Sequence, residues 1–233
     1  MLISVLLSGG SLVDKLIYVA MFIIVIVVSL SFHEWAHAHA AHRMGDDTAL
    51  AMGRMTLNPA AHIDPLGFLM LLIVGFGYAK PVPVNPRNYK NYKKGEFTVS
   101  FAGIFTNLII ALISAFLYVG FCYYEYKAER VLPDNLYQLL WLFGIINCSL
   151  AVFNFIPIYP LDGYHIFELL FGKLLGAKAV MWVRNNGTYI FYGFIALSIV
   201  LSRAFGFSLV SSASSWIYNR FLDLFDLLFG LIP

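Results

Sequence analysis

Residues 16–32 are almost entirely Leu, Ile, Val, Phe, Met and Ala, and the run continues straight into His33-Glu34-Trp35-Ala36-His37. An apolar segment this long can satisfy its backbone polar groups in a bilayer only as a helix, which constrains the fold before anything else is read. It also carries two imidazoles and a carboxylate to a depth where ionisable groups are costly and mark function. Histidines four apart on a helix stand on one face, one turn above each other, where both can reach a single zinc ion. Glu34, beside the first histidine, is placed to take a proton from a water at such a metal. The simpler account is a pair of histidines snorkelling or hydrogen-bonding in a helix bundle. A third metal ligand elsewhere in the chain decides between the two.

The chain is 60% hydrophobic and only 12% charged, with a mean hydropathy of +0.77. Soluble domains carry about 25% charged residues, so these values define a polytopic membrane protein of the all-α class. The first apolar stretch shows no small-residue cleavage site and is not expected to be a removed signal peptide. Cys122 and Cys148 form no C-x-x-C pair and read as apolar fillers. With no linker or low-complexity stretch, one membrane-embedded domain over 1–233 is expected, with a catalytic core at about 16–175 and C-terminal helices at about 187–232. Nothing in the charge pattern points to nucleic acid. The bilayer and a protein or peptide within it are the expected partners, and self-association is left open.

Four stretches read as spanning helices, at 16–42, 97–124, 136–160 and 187–204. In a fifth, 205–232, Arg220, Asp223 and Asp226 recur on one face, which suits an interfacial helix as well as a last span. The bundle is therefore expected to hold about four to six transmembrane helices. The stretch 66–79 is apolar but short and contains Gly75 and Gly77, which favours a re-entrant element. Arg43, Arg54, Lys80, Arg87, Lys90, Lys93 and Lys94 lie between the first two spans, and Lys173, Lys178 and Arg184 lie in 161–186. The loop at 122–135 sets Lys127 and Arg130 among Glu125, Glu129 and Asp134. The positive-inside tendency then puts 43–96 and 161–186 in the cytoplasm, in a cell membrane, with the histidine motif toward the cytoplasmic side.

The span beginning near 136 closes on Asn154-Phe155-Ile156-Pro157-Ile158-Tyr159-Pro160-Leu161-Asp162-Gly163. Two prolines three apart break a helix, and Asp162 follows the break on the same side of the bilayer as His33 and His37. Taken alone, the sequence also suits a turn leaving the membrane, with Asp162 capping the next helix. Together with His33-Glu34-x-x-His37, these residues resemble the site-2 protease family of intramembrane zinc metalloproteases. Gly45-Asp46, His62-Ile63-Asp64-Pro65 and Ala79-Lys80-Pro81-Val82-Pro83-Val84-Asn85-Pro86 are similar to a compact bacterial subgroup without PDZ or CBS appendages. The resemblance covers roughly 16–175. It implies one zinc ion per chain held by His33, His37 and Asp162, with Glu34 as catalytic base and Asn154 orienting water or stabilising the oxyanion. One departure stands out: Ala102-Gly103 is followed by Ile104, where the family has proline, although Asn107 is kept.

Other histidines fit a metal site less well. A longer H-E-x-x-H-x-x-G-x-x-H motif would need histidine at position 43, which is Arg43. His39 and His42 lie at other helical angles and read as packing or interfacial residues. His62 reads as structural, with a role beside the metal or at the transition state as the alternative. Asn107 reads as an interhelical hydrogen bond, with a role beside the metal or at the substrate as the alternative, and His165 with Glu168 as an i,i+3 polar face. Pro81, Val82 and Pro83 make an extended segment that is either an edge for an unwound substrate strand or a rigid loop on the membrane surface. The function expected is zinc-dependent cleavage of a transmembrane or membrane-tethered protein. A zinc-binding or zinc-transporting membrane protein without hydrolysis is the alternative, and a non-catalytic scaffold fits less well.

Overall fold

The 33 residues Leu12–Met44 form one helix, α1. At about 1.5 Å per residue it outruns the ~30 Å hydrocarbon layer. Ser11 caps its start through Val13 N (3.2 Å). Gly45 ends it at φ +106°, a left-handed conformation open to glycine at no steric cost. The computed structural model describes residues 9, 11–74, 77–206 and 208–230.

Between α1 and the next long helix the chain makes the single turn α2 (Thr48–Ala51) and the short helix α3 (Pro65–Val74). Ten residues reach only about 15 Å, half the hydrocarbon layer. The chain then doubles back, so that Ala79 pairs antiparallel with Ile63 and Lys80 N donates to His62 O (2.8 Å). Two glycines make this possible: a Cβ at Gly67 would lie 2.2 Å from Tyr78 O, and one at Gly77 would lie 2.1 Å from Gly67 O. The short element expected over 66–79 is thus the helix α3, with its flanks brought together at Ile63 and Ala79; Gly75 falls outside the described residues.

The remaining helices are α4 (Tyr92–Ala128), α5 (Asp134–Phe155), α6 (Asp162–Leu175), α7 (Ala177–Phe205) and α8 (Leu209–Gly230). Four of the helices, α1, α4, α5 and α7, are long and apolar enough to cross a membrane. The span expected from 97 starts earlier, where the Asn91 side chain caps Lys94 N (3.0 Å). The span expected to reach 160 stops at Phe155, because Pro157 and Pro160 cannot continue it. Ile104 lies inside α4, where its side chain is buried with Ala151 and Ile166. Without a proline at that position, α4 runs on unbroken.

Helix α4 is the hub, packing against α1, α5, α6 and α8. The ambiguous C-terminal stretch is α8, which buries Ser214 and Tyr218. Tyr218 lies where Gly144 leaves room, since a Cβ there would be 2.0 Å from its ring. Residues 207, 231 and 232 of that stretch lie outside the described residues. Arg220 and Asp223, read there as one polar face, pair with each other at the surface (2.8 Å).

Candidate metal centre

His33 and His37 come from α1, and both are buried. Asp162, the first residue of α6, is delivered by the break after α5. His33 Nε2 and His37 Nε2 lie 3.0 Å apart, and Asp162 Oδ2 lies 3.4 Å from each. The far side of each ring fixes its tautomer. His37 Nδ1 lies 2.8 Å from Val99 O, which can only accept, so Nδ1 carries the proton. His33 Nδ1 lies 2.6 Å from Asn107 Oδ1 and likewise donates.

Two bare nitrogen lone pairs therefore face each other across 3.0 Å, beside a buried carboxylate oxygen that has no hydrogen-bond partner. Such a cluster is repulsive until a cation sits among its atoms. Donors around a tetrahedral zinc at ~2.0–2.1 Å stand about 3.3 Å apart, which matches the observed triangle. Among the described residues this is the only group of three or more such side chains that could hold a metal ion.

Space for the imidazoles depends on Gly103 of α4. A Cβ there would meet His33 Cε1 and His37 Nε2 at 2.5 Å. Glu34 is buried and faces the extended segment, where Val82 N donates to its Oε2 (2.8 Å). That segment is held from outside by Arg54, whose Nη2 donates to Lys80 O (2.8 Å) and Pro81 O (3.2 Å). Asp46 clamps the next stretch. It is fully buried and accepts from Asn85 N (2.7 Å) and Asn88 Nδ2 (2.8 Å). Neither Arg54 nor Asp46 stands out by type or spacing; the Gly45-Asp46 dipeptide was the only trace.

The other residues singled out are dispersed. Asn154, on the last turn of α5, donates Nδ2 to Leu150 O (3.0 Å). His62 is buried and donates Nε2 to Thr56 O (2.7 Å). His39 stacks on Trp35 with ring centroids 5.0 Å apart, and His42 pairs with Asp47 at the surface (2.5 Å). Asn107 does bridge helices, and one of its two partners is a histidine of the cluster. The His165–Glu168 pairing does not form. His165 Nδ1 meets Glu96 Oε1 (3.0 Å) and Glu168 takes a two-pronged contact from Arg184 (2.7 and 3.1 Å), since α4 and α7 bring closer partners than the helix itself.

The fold and donor set together define a multi-pass membrane protein with a zinc metalloprotease centre. Comparison with known proteins places it further. The family model of peptidase family M50 matches residues 21–127 and 123–198, so the chain belongs to that family, the site-2 proteases. It is 39% identical to YwhC of Bacillus subtilis over 184 residues, covering 79% of this chain and 81% of the relative. With Rip2 of Mycobacterium tuberculosis it shares 31% identity over 171 residues, covering 69% of this chain and 62% of the relative. With MJ0392 of Methanocaldococcus jannaschii it shares 24% over 203 residues, covering 84% and 50%. All three carry the words zinc metalloprotease in their names. No solved structure matches the chain significantly.

Proposed function

We propose that this zinc metalloprotease is an intramembrane endopeptidase that cuts a transmembrane or membrane-tethered protein at a site toward the cytoplasmic face of the cell membrane. The observation carrying this reading is the convergence of Asp162 of α6 with His33 and His37, which lie beside Glu34 on a helix apolar enough to span. His33, His37 and Asp162 hold the zinc. When bound, the ion polarises the scissile carbonyl and brings the pKa of water down toward ~7. Glu34 takes the proton from that water and passes it to the leaving amine. Its Oε2 is already engaged by the Val82 N–H, which leaves Oε1 for the proton. Asn154 keeps a second amide hydrogen, beyond the one given to Leu150 O, and offers it to the developing oxyanion. A helical substrate must unwind to expose its peptide bond, and the extended segment around Pro81, Val82 and Pro83 lies beside Glu34 to receive it.

Glu34→Gln tests the reading, since it keeps size and hydrogen bonding while deleting the base. Zinc content and membrane insertion should hold, while cleavage in a whole-membrane substrate screen should fall by ~100-fold or more. Wild-type protein in vesicles that moves zinc but cuts nothing would sink the protease assignment. The orientation rests on the basic residues of 43–96. Single cysteines at Lys93 and at Glu129, the two ends of α4, should label from opposite sides of the membrane, and labelling from one side would overturn it.

A further inference from the structure

Four buried polar side chains make a closed path through the middle of the bundle. Ser29 and His33 lie one turn apart on α1, and both are shielded from solvent along with Asn107 of α4 and Asn147 of α5. Asn147 Nδ2 donates to Ser29 Oγ (2.7 Å) and to Phe143 O (2.9 Å). Asn107 Nδ2 donates to Asn147 Oδ1 (2.7 Å). His33 Nδ1 closes the path on Asn107 Oδ1 (2.6 Å).

An amide can be turned end for end, so each asparagine alone would leave the direction of this chain open. The Phe143 carbonyl removes that freedom, because it can only accept. Asn147 must point its nitrogen there, so its oxygen faces Asn107. That oxygen draws the nitrogen of Asn107, which turns the Asn107 oxygen to His33. An oxygen at His33 Nδ1 requires a proton on that atom, which leaves Nε2 bare toward His37 and Asp162. With the opposite polarity, Nε2 would carry the proton and could not bind a metal.

We propose that Asn147 is a positioning residue for the metal centre, fixing through Asn107 the tautomer and ring angle at which His33 presents Nε2. This rests on His33 being a zinc ligand, as argued above. Partners of ligating histidines typically change metal affinity 10–100-fold when removed. For Asn147, one residue further out, the loss should sit near the low end, at about tenfold.

The test is zinc affinity of the full chain in lipid nanodiscs, measured by competition with a chelator. Asn147→Leu should lower affinity about tenfold, whereas Cys148→Ala, the next buried residue of α5 and off the path, should not. In an Asn107→Asp background the carboxylate accepts from His33 without help, so Asn147→Leu should cause no further loss. In zinc-loaded protein with 15N-labelled histidine, the His33 Nδ1 proton should resonate far downfield, assigned by its loss in His33→Gln. It should move upfield in Asn147→Leu. Unchanged affinity, an equal loss in Cys148→Ala, or a loss that persists beside Asn107→Asp would reduce Asn147 to a packing residue. If Asn147→Leu does not insert, the wild-type proton decides alone, and its absence downfield overturns the proposal. Wild-type protein that binds no zinc overturns the metal assignment itself, an outcome distinct from all of these.

Discussion

Helices α4 and α7 both read as long apolar spans, yet they meet their surroundings in opposite ways. Along α4 the residues Gly95, Val99, Gly103, Asn107, Ala111, Ala115 and Val119 are all buried, at every fourth position. Along α7 the only buried residue is Gly187, packed on Tyr159, while Met181, Trp182, Tyr189 and Tyr192 face outward. Lipid and protein interior are equally apolar, so hydropathy does not separate a central helix from a peripheral one. Small and polar residues at four-residue spacing do. They let α1 approach α4 closely enough for His33 and His37 to fit beside Gly103.

Three tests would break or sharpen this contrast. The largest effect belongs to Asp162→Ala, which removes one of three donors from the buried centre and should abolish tight zinc binding. His39→Ala, on the same helix as the ligands but stacked on Trp35, should leave zinc content near wild type. Metal analysis of purified protein decides, and full occupancy in the Asp162 variant would return that residue to helix capping.

Next comes a paired test of the two helices. Gly103→Ala puts a carbon 2.5 Å from both imidazoles, whereas Cβ at Gly193 of α7 meets nothing within 4 Å. The first should cost tenfold or more in zinc affinity by displacing the rings, on the scale of losing a ligand's supporting partner. The second should be neutral or slightly stabilising, since alanine is the better helix former by about 1 kcal/mol. Equal tolerance at both sites would dissolve the distinction between a central and a peripheral helix.

The last test falls at Asp46, outside the spans. Burial alone would raise its carboxyl, but the bonds it accepts from Asn85, Thr48 and Asn88 outweigh that and hold it below the ordinary range. Its folded value thus lies below the unfolded one of about 3.9. The stability it contributes is present above that pH and is lost as pH falls through the folded value. Asp46→Asn should cost about 1–3 kcal/mol near neutrality and flatten the acid dependence. Hydrogen exchange at the Asn85 amide reads both, and an acid response unchanged in the variant would assign the pH effect elsewhere.

The sequence made the chemistry legible because helix geometry fixes it locally: His33, Glu34 and His37 share one turn, and prolines mark where Asp162 leaves its neighbour. That 66–79 holds a short element rather than an ordinary crossing was legible for a similar reason, from its length. Contacts between distant segments were not. Nothing in periodicity pairs Arg54 with the carbonyls of Lys80 and Pro81, or His165 with Glu96. Asn147 did leave a signal, an amide in the middle of an apolar span, where a polar side chain needs a partner. Which partner it takes depends on how α1, α4 and α5 pack, and no local rule supplies that.

The extended segment beside Glu34 has a further property. From Lys80 to Asn85, Pro81 and Pro83 have no N–H, and the N–H groups of Lys80, Val82 and Asn85 already donate to His62, Glu34 and Asp46. Only Val84 has one left to offer. An exposed strand edge ordinarily recruits other edges, including copies of itself, and so invites aggregation. This one is nearly mute as a donor. Two copies laid side by side would have almost no N–H to exchange, and since Arg54 already takes the Lys80 and Pro81 carbonyls, a strand pairing here would have to bring its own N–H groups to the carbonyls beyond Pro81. On the proposed reading of this segment as a substrate edge, its prolines would let it receive a strand while giving a second copy of itself almost nothing to pair with.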